Sequence, residues 1–271
     1  MDPQLYRRFF EIEDWFWWCV GTRRVFLQLI TSTGIRGRAL DVGCGTGAIL
    51  KEFGAGWGVV AGCDHSPLAL SFSQARGLHD LVRCSGTELP FATGSLDLVM
   101  AIDVIEHIDD EGCMREMVRI CRSGGYVLVH VPAFDILWTD KDDVNHHLRR
   151  YRRRDLVQLV ERHGLSVETV FHLNVLLFPV ALLRALGQKV RWGFRPRPAV
   201  SAATIDHLYR LPPSLNRMMT GLMTLEHWLF GRAAPPFGMS LVCLARKPEQ
   251  LIERRASRRQ QPLQVDARPE E

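Results

Sequence analysis

The run Leu40-Asp41-Val42-Gly43-Cys44-Gly45-Thr46-Gly47 holds the densest concentration of chemistry in the chain. An apolar segment ends in an acid, and a turn of alternate glycines follows. Such glycines let the backbone turn tightly and let a ligand lie against it with no Cβ in the way. A second apolar run, Gly58–Cys63, leads straight to Asp64, a carboxylate placed to accept hydrogen bonds from both hydroxyls of a ribose. Gly43-x-Gly45-x-x-Ala48 also satisfies the dinucleotide fingerprint, so the glycines alone leave a nicotinamide-dependent oxidoreductase open. Asp41 argues against it. A carboxylate at the strand end repels a pyrophosphate, which wants bare N–H groups and a helix N-terminus. It suits a ligand that carries a cationic amino group.

Strand ends must hold these residues. Strands are expected at Arg38–Val42, Gly58–Cys63, Leu81–Cys84, Leu96–Ile102, Gly125–Val131, Val167–Leu173 and Met239–Arg246. Helices are expected at Thr46–Phe53, Pro67–Ala75, Gly112–Cys121 and 153–163, the last stopped by Gly164. Continuous β-branched runs alternating with helices predict an α/β fold whose seven-stranded, mostly parallel sheet is covered on both faces. Residues 1–34 read as an N-terminal helical segment, a helix over 5–33 with the aromatic cluster Trp15–Trp18 packed onto the domain. Residues 35–247 form the main domain, with a helical insertion at about 174–236 before the last strand. Residues 248–271 are charged, almost without apolar side chains, and read as a disordered tail.

Composition excludes several classes. The chain has 271 residues, 46% hydrophobic, with a formal net charge of +4, which suits a globular domain and does not by itself indicate nucleic acid. The seven cysteines are odd in number and never in CxxC spacing, which argues against a disulfide framework or a zinc site and for a reducing, cytoplasmic setting. The N-terminus mixes charges with aromatics and does not read as a secretory signal. No apolar run reaches the length of a membrane span.

LDVGCGTG, the acid in GCDHSP, and TELPFATGSLDLVMAIDVIEHIDD together resemble the class I S-adenosylmethionine-dependent methyltransferases, more narrowly the bacterial group related to ubiquinone-biosynthesis methyltransferases. WFWWCVGTRR, HVPAFDILWTDKDDVNHHLRRY and PFGMSLVCLARKP resemble segments of one of its subgroups, so the likeness covers about residues 1–247. The resemblance implies a Rossmann-like fold and S-adenosylmethionine as cofactor. Gly43, Gly45 and Gly47 would shape the methionine pocket, with Asp41 near its amino group. Asp64 would hold the ribose, and Asp103 would line the cofactor near the sulfonium. An aspartate often meets adenine in this family; here Ser85 and Thr87 stand in that segment, a departure that leaves adenine to a hydroxyl or to backbone.

Methyl transfer needs alignment of the acceptor, and a base where the acceptor is a hydroxyl. Candidates follow the fourth and fifth strands: His147, His107 and Tyr151. Glu106, His107 and the Asp142, Asp143 and His147 group are also metal-ligand types, so a metal site among them is conceivable, but the spacing is not diagnostic and no metal is expected. The expected function is methylation, at oxygen, of a small-molecule or lipid-linked acceptor. A cofactor-binding, membrane-associated partner protein without turnover is the alternative of another class. The apolar run Leu173–Leu186 and nearby Lys189, Arg191, Arg195 and Arg197 point to peripheral contact through 173–200 at the inner membrane face. No nucleic-acid partner is expected, because no recognisable RNA-binding module flanks the domain.

Overall fold

The computed structural model describes residues 3–53, 57–194, 211–230 and 235–249. Its strands are β1 (Arg38–Val42), β2 (Val59–Asp64), β3 (Leu81–Arg83), β4 (Leu96–Ile102), β5 (Cys121–Pro132), β6 (Ser166–Leu173) and β7 (Ser240–Arg246). They form one sheet in the order β3-β2-β1-β4-β5-β7-β6. β1 to β5 run parallel, and β7 lies antiparallel between β5 and β6. The winding direction reverses between β1 and β4. Loops leaving the carboxyl ends of those two strands diverge and open a crevice. Asp41 and Asp103 therefore lie at the carboxyl ends of neighbouring strands, although 61 residues separate them in sequence.

Alternation along the strands feeds two cores. On β4, Val99 and Ala101 join one apolar cluster while Leu98 and Met100 join the other. Burial on both faces is what the unbroken apolar runs predict. The helices are α1 (Pro3–Ile12), α2 (Trp17–Ser32), α3 (Pro67–Ala75), α4 (Asp110–Ile120), α5 (Asp140–Val144), α6 (Arg153–Arg162), α7 (Phe178–Phe194) and α8 (Pro213–Phe230).

Three elements differ from the sequence reading. The single helix over 5–33 is two helices, broken before Trp17, where Phe16 adopts an extended conformation and buries against Leu5, Ile12 and Val144. The helix expected at Thr46–Phe53 shrinks to a 3-10 turn at Leu50–Glu52. Gly45 and Gly47 sit at φ +55° and +79°, a left-handed geometry that cannot continue into a right-handed helix. The apolar run Leu173–Leu186 divides between the end of β6 and the start of α7. Pro179 lies in the first turn of α7, where its missing N–H has no partner to lose.

α8 seats the insertion on the N-terminal segment. The Asn216 side chain accepts from the Trp17 N–H at 2.8 Å and donates to the Trp15 carbonyl at 2.6 Å. Gly21 lets α8 approach: a Cβ there would lie 2.5 Å from Met223 Sδ. Arg195 and Arg197, and the tail beyond 249, lie outside the described residues.

Candidate active site

The glycine turn hangs between β1 and β2. The Gly45 N–H donates to Asp64 Oδ2 at 3.0 Å, the Ser66 N–H donates to Asp64 Oδ1 at 2.8 Å, and Ser73 Oγ donates to the Gly45 carbonyl at 3.0 Å. A Cβ on Gly43 would lie 2.5 Å from Val104, and one on Gly47 would lie 2.4 Å from Leu78. One on Gly45 would meet nothing within 4 Å. Gly43 and Gly47 thus serve packing, while Gly45 presents bare backbone. Asp41 is buried and its Oδ1 has no hydrogen-bond partner among the described residues. Burial, followed by the charges of Asp64 and Glu13, pushes its carboxyl up to about 8.

The N-terminal segment closes over this turn. Thr46 donates to Glu13, whose carboxyl is raised by its own burial. Arg76, at the end of α3, donates to Asp14 at 2.8 Å and to the Phe10 carbonyl at 3.1 Å, with its guanidinium over the Phe10 ring. After β3, the hydroxyls of Ser85 and Thr87 share a 2.8 Å hydrogen bond at the surface.

Past β4 the backbone is unusual. Asp103 has φ +53°, and its Oδ1 lies 2.9 Å from Nδ1 of His130, a buried residue of β5. The next turn, Ile105–His107, carries Glu106, which is fully buried with neither carboxylate oxygen partnered among the described residues. Burial first, and Asp103 second, push its carboxyl well above the usual range. The loop after β5 folds back on this turn, and the Leu148 N–H donates to the Glu106 carbonyl at 2.7 Å. His107 and His147 then meet edge to face, ring centroids 4.8 Å apart. Burial and the neighbouring His147 bring the His107 imidazole down to about 4.

His147 is held from behind. Its Nδ1 lies 2.8 Å from Oδ1 of Asp142, which also accepts two bonds from Arg150, at 2.8 and 3.0 Å, and one from the Thr139 N–H at 2.8 Å. Burial opposes the charge on Asp142, but the bonds from His147 and Arg150 outweigh it and hold the carboxyl well below the usual range. Tyr151 is buried, and its hydroxyl donates to Asp110 at 2.8 Å and to the Ile105 carbonyl at 3.3 Å. It clamps the 105–107 turn to α4.

Residues 40–129, spanning β1 to β5, match a family described as a methyltransferase domain. Over 141 residues the chain is 35% identical to an uncharacterized methyltransferase of Mycobacterium sp. (strain KMS), across 51% of this chain and 55% of that protein. Over 102 residues it is 32% identical to the tRNA (carboxymethyluridine(34)-5-O)-methyltransferase of Xenopus tropicalis, across 35% of this chain and 15% of that one. The fold is similar to a solved S-adenosylmethionine-dependent methyltransferase from Archaeoglobus fulgidus, with TM-score 0.53, 15% identity, and 83% and 93% of the two chains covered. Residues 40–129 carry a methyltransferase domain. Its cofactor is S-adenosylmethionine. The matches span between 34% and 55% of the first relatives' own lengths.

The residues of the methyltransferase domain fit this cofactor. The unpartnered Oδ1 of Asp41 suits the cationic amino group of the methionine part, and the open side of Gly45 suits a ligand lying on the turn. Asp64 retains lone pairs for ribose hydroxyls beyond its two backbone bonds. Sequence reasoning missed Glu13 and Arg76, and it singled out Asp142 only as a metal-ligand type, without its pairing to His147 and Arg150. Glu13 lies in an aromatic-rich segment with no local signal. For Asp142 a signal existed: Thr139 and Asp142 have the spacing of a capping box, and the structure forms one.

Proposed function

We propose that the chain transfers the methyl group of S-adenosylmethionine to an oxygen of a small-molecule or lipid-linked acceptor, at the cluster of Glu106, His107 and His147. The cofactor supplies a methyl group already activated on a sulfonium. As the O–CH3 bond forms the S–CH3 bond breaks, the sulfonium becomes a neutral thioether, and the acceptor hydroxyl gives up its proton. An alcohol or phenol therefore needs a group that favours loss of that proton, whereas a free amine does not. The observation that carries the reading is His147 backed by the buried Asp142 at 2.8 Å. This contact fixes the ring through Nδ1 and leaves Nε2 without a partner among the described residues. Asp41, Gly43, Gly45, Gly47, Asp64, Ser85, Thr87 and Asp103 are assigned to the cofactor, His147 and His107 to the acceptor, and Tyr151 to positioning.

A lipid-linked acceptor is favoured by the surface beside the site. Gln188 of α7 donates to Asp140, and Lys189 donates to the carbonyls of Asp135 and Ile136 at 3.2 and 2.9 Å. The same helix exposes Val180, Leu183 and Val190, and α8 exposes Met218 and Trp228, the last 79% accessible. No described helix is long and apolar enough to cross a membrane. Arg149 and Arg150 are engaged by Asp110 and Asp142, which supports such an acceptor over nucleic acid. The test is the mass of the product formed by purified protein from isotope-labelled cofactor, with a lipid extract, a soluble extract and tRNA offered separately. A label found only in tRNA, or at nitrogen, would overturn this reading.

A further inference from the structure

The same cluster has the makings of a metal centre, although residues 106–107 and 147 stand too far apart in sequence for any motif to announce it. One ligand atom each from Glu106, His107 and His147 lies within 4.8 Å of the other two. A carboxylate and two imidazoles at that separation match the ligand set that binds divalent first-row ions, with nitrogen donors favouring zinc, iron or manganese over magnesium.

Two further observations point to a ligand rather than to a chance meeting of side chains. First, Glu106 is fully buried and neither of its carboxylate oxygens has a partner among the described residues. A buried carboxylate without hydrogen bonds is costly, and a cation is the compensation that a hydrocarbon neighbour cannot provide. Second, both histidines are held through Nδ1, which leaves each Nε2 free to ligate. His147 Nδ1 faces Asp142 Oδ1 at 2.8 Å, and His107 Nδ1 faces the His146 carbonyl at 3.4 Å. Because a carbonyl only accepts, Nδ1 of His107 carries the proton. Metal-ligating histidines are oriented in this way by a carboxylate or carbonyl behind the ring. Arg150 and the Thr139 N–H in turn fix Asp142.

We propose that Glu106, His107 and His147 bind a divalent transition-metal ion of the zinc type, with Asp142 positioning His147. Three protein ligands leave such an ion at least one position for an oxygen. This inference rests on the reading of the cluster as the acceptor's site, and it specifies how an acceptor hydroxyl would be made to lose its proton there.

The untagged full chain, stripped with a chelator, is dialysed against zinc and, in parallel, cobalt as a spectroscopic probe. The result expected is one ion bound per chain and cobalt absorption without a thiolate charge-transfer band, both lost in Glu106→Gln and in His147→Ala. Glu106→Gln removes the carboxylate and keeps the side-chain shape, and its circular dichroism should match that of the unmodified protein. Asp142→Asn should weaken zinc binding about 10–100-fold, the usual cost of losing such a backing carboxylate. Failure of the unmodified protein to bind either ion, or equal binding by Glu106→Gln, overturns the proposal. So does full methyl transfer by chelator-stripped protein, which would leave oxygen methylation standing without a metal. Conversely, an ion bound as expected in a protein that methylates only nitrogen would remove the functional reading and leave the metal site.

Discussion

Asp41→Asn should make the cofactor-free protein more stable and the cofactor weaker. In the native state, burial and the charges of Asp64 and Glu13 raise the Asp41 carboxyl to about 8. In the unfolded chain it titrates near about 4. A raised carboxyl contributes most below the unfolded value, and that contribution is lost as pH rises toward the folded one, because the native state binds the extra proton throughout the interval. At about 1.4 kcal/mol per pH unit, the loss between pH 5 and pH 8 is at most about 4 kcal/mol. Asparagine cannot ionise and avoids this loss, though its buried amide forfeits about 1–3 kcal/mol if left unpaired. Urea unfolding of both proteins at pH 5 and pH 8 isolates the effect, because the other titrating groups cancel in the difference. The advantage of Asp41→Asn should grow by several kcal/mol across that range. Calorimetry should show cofactor affinity reduced by about 1–3 kcal/mol, the loss of a hydrogen bond to a charged group. For the unmodified protein below about pH 8, cofactor uptake should release a proton, visible as buffer-dependent heat. A stability difference that stays flat from pH 5 to pH 8 would refute the placement of a buried, unpartnered carboxyl at the end of β1.

His147→Ala should keep cofactor affinity by calorimetry and lose turnover, typically 10²–10⁴-fold for a group that assists proton removal. Asp142→Asn leaves Arg150, its side chain 11% exposed, without its counter-charge and should cost up to about 3–5 kcal/mol in urea unfolding, whereas the double change with Arg150→Met should recover much of it. Gly45→Ala places a Cβ in open space at positive φ and should cost about 1–2 kcal/mol of stability while abolishing cofactor binding. Gly43→Ala adds a clash with Val104 and should cost more, as thermal unfolding of the two variants would show. Anionic vesicles should sediment the protein in a salt-sensitive manner, and Leu183→Glu on the exposed face of α7 should reduce this without altering cofactor affinity.

Local rules made the sheet and the glycine turn legible in the sequence. The predicted bounds of β1 and β4 and of α3 coincide with those observed, because an unbroken apolar run between turn residues reports burial on both faces. The glycine turn that follows Asp41 and the acid at the end of β2 could be read because both depend on neighbours a few residues away. His107 and His147 could be named as candidates, but their meeting could not be read. Glu106 and His107 meet His147 because β4 and β5 are adjacent parallel strands whose following loops emerge at the same edge. His147 and Asp142 lie five residues apart, a spacing that places them together only because the chain turns at His146, with φ +56°. The break between α1 and α2 was equally hidden. Local propensity favours one continuous helix, and only the contacts of Glu13 with Thr46, of Asp14 with Arg76 and of Phe16 with its buried neighbours favour two. Periodicity records which face of an element is buried; which distant residues come to share a cavity is decided by strand order, a property of the whole sheet.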